Sequence, residues 1–188
     1  VETLVEELND NLVKIYHKIN LGKKAKIKKI SFIGNTIYKN SKLKGLIVSE
    51  EYKFWKFISG RKYLNERTIN FDKTLLKNFY LNKGFYEVEI NASFARLINE
   101  QEFELIYSIN PREKIYFNDL ILDLPSDFNQ NNFVSLKKLF LNIKGEPYSV
   151  NTVNKILEEI DSITLSEEYK SINASIKENI FANKLDIK

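Results

Sequence analysis

The sequence contains no cysteine and only one histidine among its 188 residues. The lack of cysteine excludes disulfides, thiolate metal sites and thiol catalysis, and it fits a protein of the bacterial envelope. His17 has no second histidine or cysteine that could complete a metal site with it. Because it lies in an alternating, strand-like segment, we expect His17 to have a structural role.

Long apolar runs and methionine are absent as well. No stretch approaches the roughly 18 to 20 apolar residues that a membrane helix needs. The chain opens on Val1 and holds no methionine at all, which indicates a fragment of a longer protein, so the lack of a signal peptide says little about compartment. Hydrophobic residues at 43% and aromatic residues at 13% are nevertheless sufficient for packed cores.

Neither sign of charge dominates strongly, since 29 basic residues stand against 25 acidic ones, a formal charge of +4. The basic residues are mostly lysine and look scattered along the chain. We therefore expect a solvated surface and no nucleic-acid partner. The sequence also lacks a carboxylate dyad, a nucleophile elbow and a phosphate-binding loop, so we predict a protein that is not an enzyme and that uses no cofactor, metal or small-molecule substrate.

What the sequence does contain is a helix–glycine–strand segment over residues 71–90. Its apolar residues first recur at helical spacing, and Gly84 follows as the residue that most readily adopts the left-handed conformation of a helix stop. Beyond Gly84 the pattern alternates. It predicts a strand with one buried and one wet face. The predicted buried face carries Tyr86, Val88, Ile90, Ala92 and Phe94, and the wet face carries Glu87, Glu89, Asn91 and Ser93.

Around this segment the pattern predicts a β-α-α-β-β unit. Its predicted elements are a strand at 27–33 closed by Gly34, a short helix at 41–48 capped by Ser41, a helix at about 65–83, and strands at 85–97 and 103–109. An aromatic loop with Tyr52, Phe54, Trp55 and Phe57 lies between the helices. Because aromatic residues mostly bury, we expect this loop to cap the core, with an exposed partner-docking patch as the alternative.

The same order then restarts along the chain. The predicted elements are a strand at 115–124, helices at 133–141 and 151–160, and strands near 172–176 and 185–187. The motif Gly60-Arg61-Lys62-Tyr63 recurs as Gly145-Glu146-Pro147-Tyr148, which indicates tandem small domains. Residues 1–8 and 13–19 predict a hairpin with its turn at 9–11. The predicted division is a remnant of a preceding domain at 1–25, a complete domain at 26–113 and a C-terminally truncated one at 114–188.

Two motifs carry a resemblance to a known family. One is the strand end Ile30-Ser31-Phe32-Ile33-Gly34-Asn35, and the other is the helix end Tyr80-Leu81-Asn82-Lys83-Gly84-Phe85. Both resemble POTRA domains of the BamA/Omp85 family, and the Trp55 loop is similar to that of the third POTRA domain in the family's arrays. The resemblance implies an α+β fold of tandem POTRA modules, each with two helices on one face of a three-stranded mixed sheet. Residues 1–25 would then end a second POTRA domain, and 114–188 would form most of a fourth.

The resemblance also implies a function. POTRA modules are periplasmic scaffolds of the outer-membrane β-barrel assembly machinery in Gram-negative bacteria, which bind partner lipoproteins and nascent outer-membrane proteins at edge strands. On this reading the partner-binding edge is Glu87, Val88, Glu89, Ile90, Asn91, Ala92 and Ser93, and a second candidate docking site is the loop with Phe54, Trp55 and Phe57. A purely structural strand is the alternative for the first of these.

Two other functions stay open at this level. The chain could be a POTRA array from another Omp85, two-partner-secretion or cell-division protein. A KH-type RNA-binding module shares the β-α-α-β-β order, but it requires a Gly-x-x-Gly loop between its helices. None of the six glycines forms that spacing.

Overall fold

The computed structural model describes residues 2–8, 12–19, 25–34, 37–55, 60–126, 128–167 and 174–188, apart from the side chains of 7, 8 and 91–95. The described residues form an α+β fold with one two-stranded and two three-stranded sheets. This confirms the predicted fold class.

The first three-stranded sheet has β5 (Glu102–Asn110) at its centre. On one side β3 (Lys26–Ile33) runs parallel to it, and on the other side β4 (Glu89–Asn99) runs antiparallel. The helices of this unit are α1 (Asn40–Lys44) and α2 (Glu66–Leu81). They share one core with the sheet, which includes Ile27, Ile30, Leu43, Leu76, Tyr80, Leu105 and Tyr107.

Helix α2 begins and ends close to where its sequence signals place it. The Asn65 side chain accepts hydrogen bonds from the backbone N–H groups of Arg67 and Thr68, as an N-cap does. At the other end Gly84 has a φ of +95°, so the predicted left-handed glycine is confirmed. The predicted Ser41 cap is wrong, because α1 begins at Asn40 and its N-cap is Lys39, which makes no side-chain cap hydrogen bond.

A buried carboxylate joins α2 to the loop and to the sheet. Asp72 is fully buried and accepts hydrogen bonds from the Val48 N–H (2.6 Å), the Ser49 N–H (3.3 Å) and the Tyr107 hydroxyl (2.7 Å). Burial, followed by the hydrogen bond to Asp72, raises the pKa of Tyr107, so this hydroxyl stays protonated and donating. The network fixes residues 48–49 against the core.

Strand β4 differs from its prediction in both its start and its phase. It begins at Glu89, so Glu87 and Val88 precede it. Ile90 stands opposite Ile109, whereas Phe94 stands opposite Ile106, because an extra residue in β4 forms a bulge between Asn91 and Phe94. A bulge of one residue reverses the alternation, so the predicted single phase from Tyr86 to Phe94 is wrong.

The second three-stranded sheet repeats the arrangement. Its central strand is β8 (Lys184–Ile187), flanked by the parallel β6 (Tyr116–Leu120) and the antiparallel β7 (Glu178–Phe181). Its helices are α3 (Val134–Ile143) and α4 (Val150–Ser166). Leu185 and Ile187 are buried in β8, as predicted. The strand expected near 172–176 is wrong where it can be checked, since 174–177 is not a strand and 168–173 lies outside the described residues.

The N-terminal segment forms the predicted hairpin. Strand β1 (Glu2–Leu8) pairs antiparallel with β2 (Leu12–Lys18), and the predicted turn at 9–11 lies outside the described residues. His17 is exposed, and its Nδ1 lies 3.1 Å from the Thr3 hydroxyl.

Candidate functional site

Strand β4 forms one edge of the first three-stranded sheet. Among the described strands it pairs only with β5, so its outer side faces no other strand. An edge of this kind presents backbone N–H and C=O groups that an extended chain could pair with. Of the predicted site residues, Glu89, Ile90, Asn91, Ala92 and Ser93 lie in β4.

The two remaining residues of the predicted edge lie outside the strand. Glu87 is exposed in the turn before β4, and Val88 is buried in the core at 4% exposure. Glu89, at the start of β4, forms an ion pair with Arg112 (2.7 Å). The candidate edge therefore begins two residues later than predicted.

The opposite edge of the same sheet is covered by the segment that follows α1. The Ile27 carbonyl accepts a hydrogen bond from the Tyr52 N–H (2.7 Å), and the Ala25 carbonyl accepts one from the Leu64 N–H (2.9 Å). The Ile30 N–H donates to the Glu51 carboxylate (2.9 Å). Burial opposes ionisation of Glu51, but the hydrogen bonds from Lys44 and from Ile30 outweigh it and lower its pKa. Strand β3 is therefore covered on its outer side from Lys26 to Ile30.

The two repeated motifs occupy equivalent places in the two units. Tyr63 forms a bridge with Lys26 at the start of β3, and Pro147 forms one with Tyr116 at the start of β6. Residues 145–148 also exchange backbone hydrogen bonds with Ile115 and Phe117. The similarity of these motifs therefore reflects one structural task, which is to cover the outer side of the first strand.

The sheet face away from the helices is tied together by Glu104. Its carboxylate accepts hydrogen bonds from the Ser31 hydroxyl (2.7 Å), from Lys29 (2.9 Å) and from Arg96. These three donors lie on β3 and β4, on either side of β5. The hydrogen bonds from Ser31 and Lys29, with that from Arg96, outweigh the cost of burial and lower the pKa of Glu104 to about 2. The candidate edge strand therefore belongs to a sheet whose three strands are joined by the hydrogen bonds of one carboxylate.

The aromatic loop is exposed where the structure describes it. Phe54 is 70% exposed and Trp55 is 59% exposed, and their rings meet edge to face at 4.7 Å. The expectation that these two residues cap the core is therefore wrong for them. Tyr52, also in this loop, is half-buried, and its ring centroid lies 4.6 Å from the ammonium group of Lys26 and 5.4 Å from that of Lys62. Phe57 lies outside the described residues.

Sequence reasoning missed the contacts that join the two units. The Asn82 side-chain oxygen accepts hydrogen bonds from the Ser149 hydroxyl (2.9 Å) and from the Asn151 N–H (2.9 Å), at the start of α4. The Asn82 amide also donates to the Asn78 carbonyl in the last turn of α2 (2.9 Å). One side chain therefore satisfies the C-terminus of α2 and the N-terminus of α4.

Tyr86 adds a second contact across this junction. Its ring meets Tyr148 edge to face at 4.8 Å, and its hydroxyl donates to Glu178 (2.5 Å). That hydrogen bond, with burial, raises the pKa of Tyr86 to about 12.

Three further features of the described residues bear on ligands and membranes. They include no group of three or more His, Cys, Asp or Glu side chains that could hold a metal ion. A cavity of about 360 Å³ in the second unit is lined largely by apolar side chains, among them Leu124, Phe133, Phe140 and Ile156. None of the helices in the described part has both the length and the apolar composition needed to span a membrane.

Comparison with known proteins agrees with this architecture. Residues 25–112 match the POTRA family, described as a surface antigen variable number repeat. The chain is 27% identical to the outer membrane protein assembly factor BamA of Neisseria meningitidis serogroup B over 173 residues, covering 92% of this chain and 22% of that protein. It is 22% identical to BamA of Buchnera aphidicola over 172 residues, covering 89% of this chain and 26% of the relative. The chain thus spans about a quarter of the length of these relatives.

Two solved structures share the fold. Crystallised POTRA domains 3–5 of Haemophilus influenzae BamA align with a TM-score of 0.56 at 15% identity, covering 89% of this chain and 67% of that one. BamA of Haemophilus ducreyi lacking POTRA domains 1–3 aligns with a TM-score of 0.60 at 11% identity, covering 86% of this chain and 28% of that one. The predicted resemblance is confirmed: residues 25–112 match the POTRA family, and most of the chain is similar in sequence to BamA proteins and in fold to BamA POTRA domains.

Proposed function

We propose that this chain is a periplasmic scaffold of the outer-membrane β-barrel assembly machinery in a Gram-negative bacterium. It binds nascent outer-membrane proteins and partner lipoproteins by β-augmentation, in which an extended segment of the partner pairs with the outer side of β4. Its work is non-catalytic and needs no cofactor. We also propose the domain limits 26–113 and 114–188, preceded by the end of another POTRA domain.

The observation that carries this proposal is the asymmetry of the first sheet. Strand β3 is covered on its outer side by residues 50–52 and 63–64, whereas β4 pairs only with β5 among the described strands. Pairing through backbone groups depends little on the partner's side chains. A scaffold that handles many β-barrel proteins needs that tolerance.

The bulge in β4 supports weak and reversible pairing. An added strand would stay in register only on one side of the irregularity between Asn91 and Phe94. Charged residues at the strand, Glu89 and Arg96, further oppose uncontrolled edge-to-edge association. These features favour transient docking over aggregation.

Proline substitutions in β4 test the proposal. Neighbouring residues in a strand direct their N–H groups to opposite sides, so Ile90→Pro and Asn91→Pro each remove a donor from a different side of β4. The variant that loses an outward donor should stay folded by circular dichroism and bind at least about tenfold more weakly. The probe is a labelled peptide with the alternating apolar and polar pattern of a barrel strand, and binding is measured by fluorescence anisotropy.

Asn179→Pro in β7 is the matched control, because it alters an edge strand of the other unit. It should leave peptide binding to β4 unchanged. The proposal is wrong if both folded β4 variants bind the peptide as tightly as the parent chain, or if amide shifts on peptide addition map to β7 and not to β4.

A further inference from the structure

Positive charge is concentrated in one stretch of the chain. Residues 23–62 contain twelve of the 29 basic residues and two of the 25 acidic ones, a net charge of +10, so the remainder of the chain carries −6. The expectation that the basic residues are scattered is therefore wrong for this stretch. A local excess of this size attracts anionic surfaces.

Several of these cations form no direct ion pair among the described residues. The two carboxylates of the stretch are engaged within it, Glu51 by Lys44 (2.6 Å) and Glu50 beside Arg61 (3.9 Å). Lys28 and Lys29 pair with acidic residues of β5. Four other lysines form no ion pair with any described residue, namely Lys26, Lys39, Lys42 and Lys53.

One of these lysines directly precedes the exposed aromatic pair, and a second contacts Tyr52, two residues before Phe54. Lys53 precedes Phe54 and Trp55 and lies 5.7 Å from the Trp55 ring centroid. Lys26 lies against Tyr52, which connects the pair to the covered edge of β3. We call Lys26, Lys53, Phe54 and Trp55 the aromatic-basic tip. The tip combines apolar rings that project into solvent with ammonium groups that can stay hydrated.

We propose that the aromatic-basic tip binds the surface of an anionic phospholipid bilayer. Tryptophan and phenylalanine favour the boundary between headgroups and acyl chains. Lysine can lay its apolar stem along that boundary and keep its ammonium group among anionic headgroups. Neither the aromatic rings nor the positive charges alone give firm membrane binding, and the tip carries both.

Charge and composition favour a membrane over a protein partner at this tip. Protein interfaces are depleted in lysine and enriched in arginine, whereas anionic membrane surfaces attract either residue through charge alone. Eleven of the twelve basic residues of this stretch are lysines. This inference is independent of pairing at β4, which lies at the other edge of the sheet.

The chain carries a natural reporter for the test, because Trp55 is its only tryptophan. The 188-residue chain is mixed with vesicles of phosphatidylcholine alone or with about one third phosphatidylglycerol. Trp55 emission should shift to shorter wavelength and become protected from acrylamide only with the anionic vesicles. Brominated acyl chains should quench it, and salt should weaken binding.

Variants separate the tip from general charge attraction. In vesicle co-sedimentation, Phe54→Ala, Trp55→Ala and Lys53→Glu should each lower partitioning several-fold, up to about tenfold. The matched controls are Phe181→Ala and Lys155→Glu, which alter an exposed aromatic residue and an exposed lysine of the second unit. They should bind like the parent.

Three outcomes would overturn the inference. One is a Trp55 emission that does not respond to anionic vesicles, and another is equal partitioning of the tip variants and their controls. The third is tip-dependent binding of a labelled single-stranded RNA or an acidic peptide without binding of vesicles, which would assign the tip to that class of partner. Loss of peptide binding at β4 would leave this inference intact, so the two proposals fail separately.

Discussion

At the scale of single residues, Gly84 has two independent reasons to be glycine. Its φ of +95° strains any residue that carries a Cβ atom. A Cβ built there would also lie 2.8 Å from Lys114 Cγ and 3.1 Å from Pro147 Cβ, both beyond the first unit. The residue that ends α2 is thus also a point of close approach between the two units.

We expect Gly84→Ala to lower the free energy of unfolding by about 1–3 kcal/mol, because it adds backbone strain and displaces Lys114. Urea denaturation followed by circular dichroism measures the change. Gly60→Ala is the control, since no atom lies within 4 Å of its added Cβ. The double variant Gly84→Ala/Lys114→Ala should recover only the part of the lost free energy of unfolding that is due to crowding against Lys114. Equal stability of Gly84→Ala and Gly60→Ala would contradict both reasons.

At the scale of elements, the sequence was most informative where a signal acts locally. The Asn65 cap, the helical spacing of α2 and the Gly84 stop depend on neighbours in the chain, and each was predicted near its observed place. The phase of β4 was not predictable in this way. A bulge is defined by the partner strand, and nothing in the alternation around Asn91 indicates an extra residue.

The strand that forms the candidate site could be predicted from the sequence. Which edge of its sheet is open and which is covered could not. Which edge is open depends on where residues 50–52 and 63–64 pack, and those residues are distant from β3 in sequence and carry no regular pattern. Exposure of Phe54 and Trp55 was also missed, because the general tendency of aromatic residues to bury outweighed any local signal.

The three strands of the first sheet are coupled by Glu104, and this coupling should depend on pH. The pKa of Glu104 falls from its ordinary value of 4.5 to about 2 in the folded chain. Its stabilising effect is therefore complete above pH 4.5 and is lost as the pH falls from 4.5 towards 2. Glu104→Gln should make the loss of stability over that window smaller than in the parent chain.

Urea midpoints at pH 6 and at pH 3 would measure this difference. Ser31→Ala removes only one of the three donors, so it should have a smaller effect on the pH dependence than Glu104→Gln. Identical pH profiles for Glu104→Gln and the parent chain would exclude the proposed coupling.

At the scale of the whole molecule, the two units meet through the end of one helix and the start of another. Asn82 completes the last turn of α2 and accepts from the first turn of α4, while Tyr86 reaches Tyr148 and Glu178. These contacts are directional, so they favour one relative orientation of the units over others.

Asn82→Ala should loosen this junction, because the Ser149 hydroxyl and the Asn151 N–H lose their acceptor. We expect the amide hydrogens of Asn151 and Thr152 to exchange with solvent about tenfold faster. Small-angle X-ray scattering should also detect a broader distribution of shapes. Asn78→Ala, one turn earlier on α2, is the matched control and should change neither measurement. Unchanged exchange at α4 in Asn82→Ala would show that the junction is held elsewhere.

The closed outer side of β3 has a consequence for self-association. Head-to-tail growth of a fibre through the first sheet alone needs an open edge on each of its sides, and Lys26 to Ile30 of β3 are covered. If two copies meet through β4, the contact is between identical strands, and it closes on itself as a two-fold symmetric pair. The first sheet can therefore offer β4 to an extended guest while its other edge, from Lys26 to Ile30, does not extend the chain of contacts.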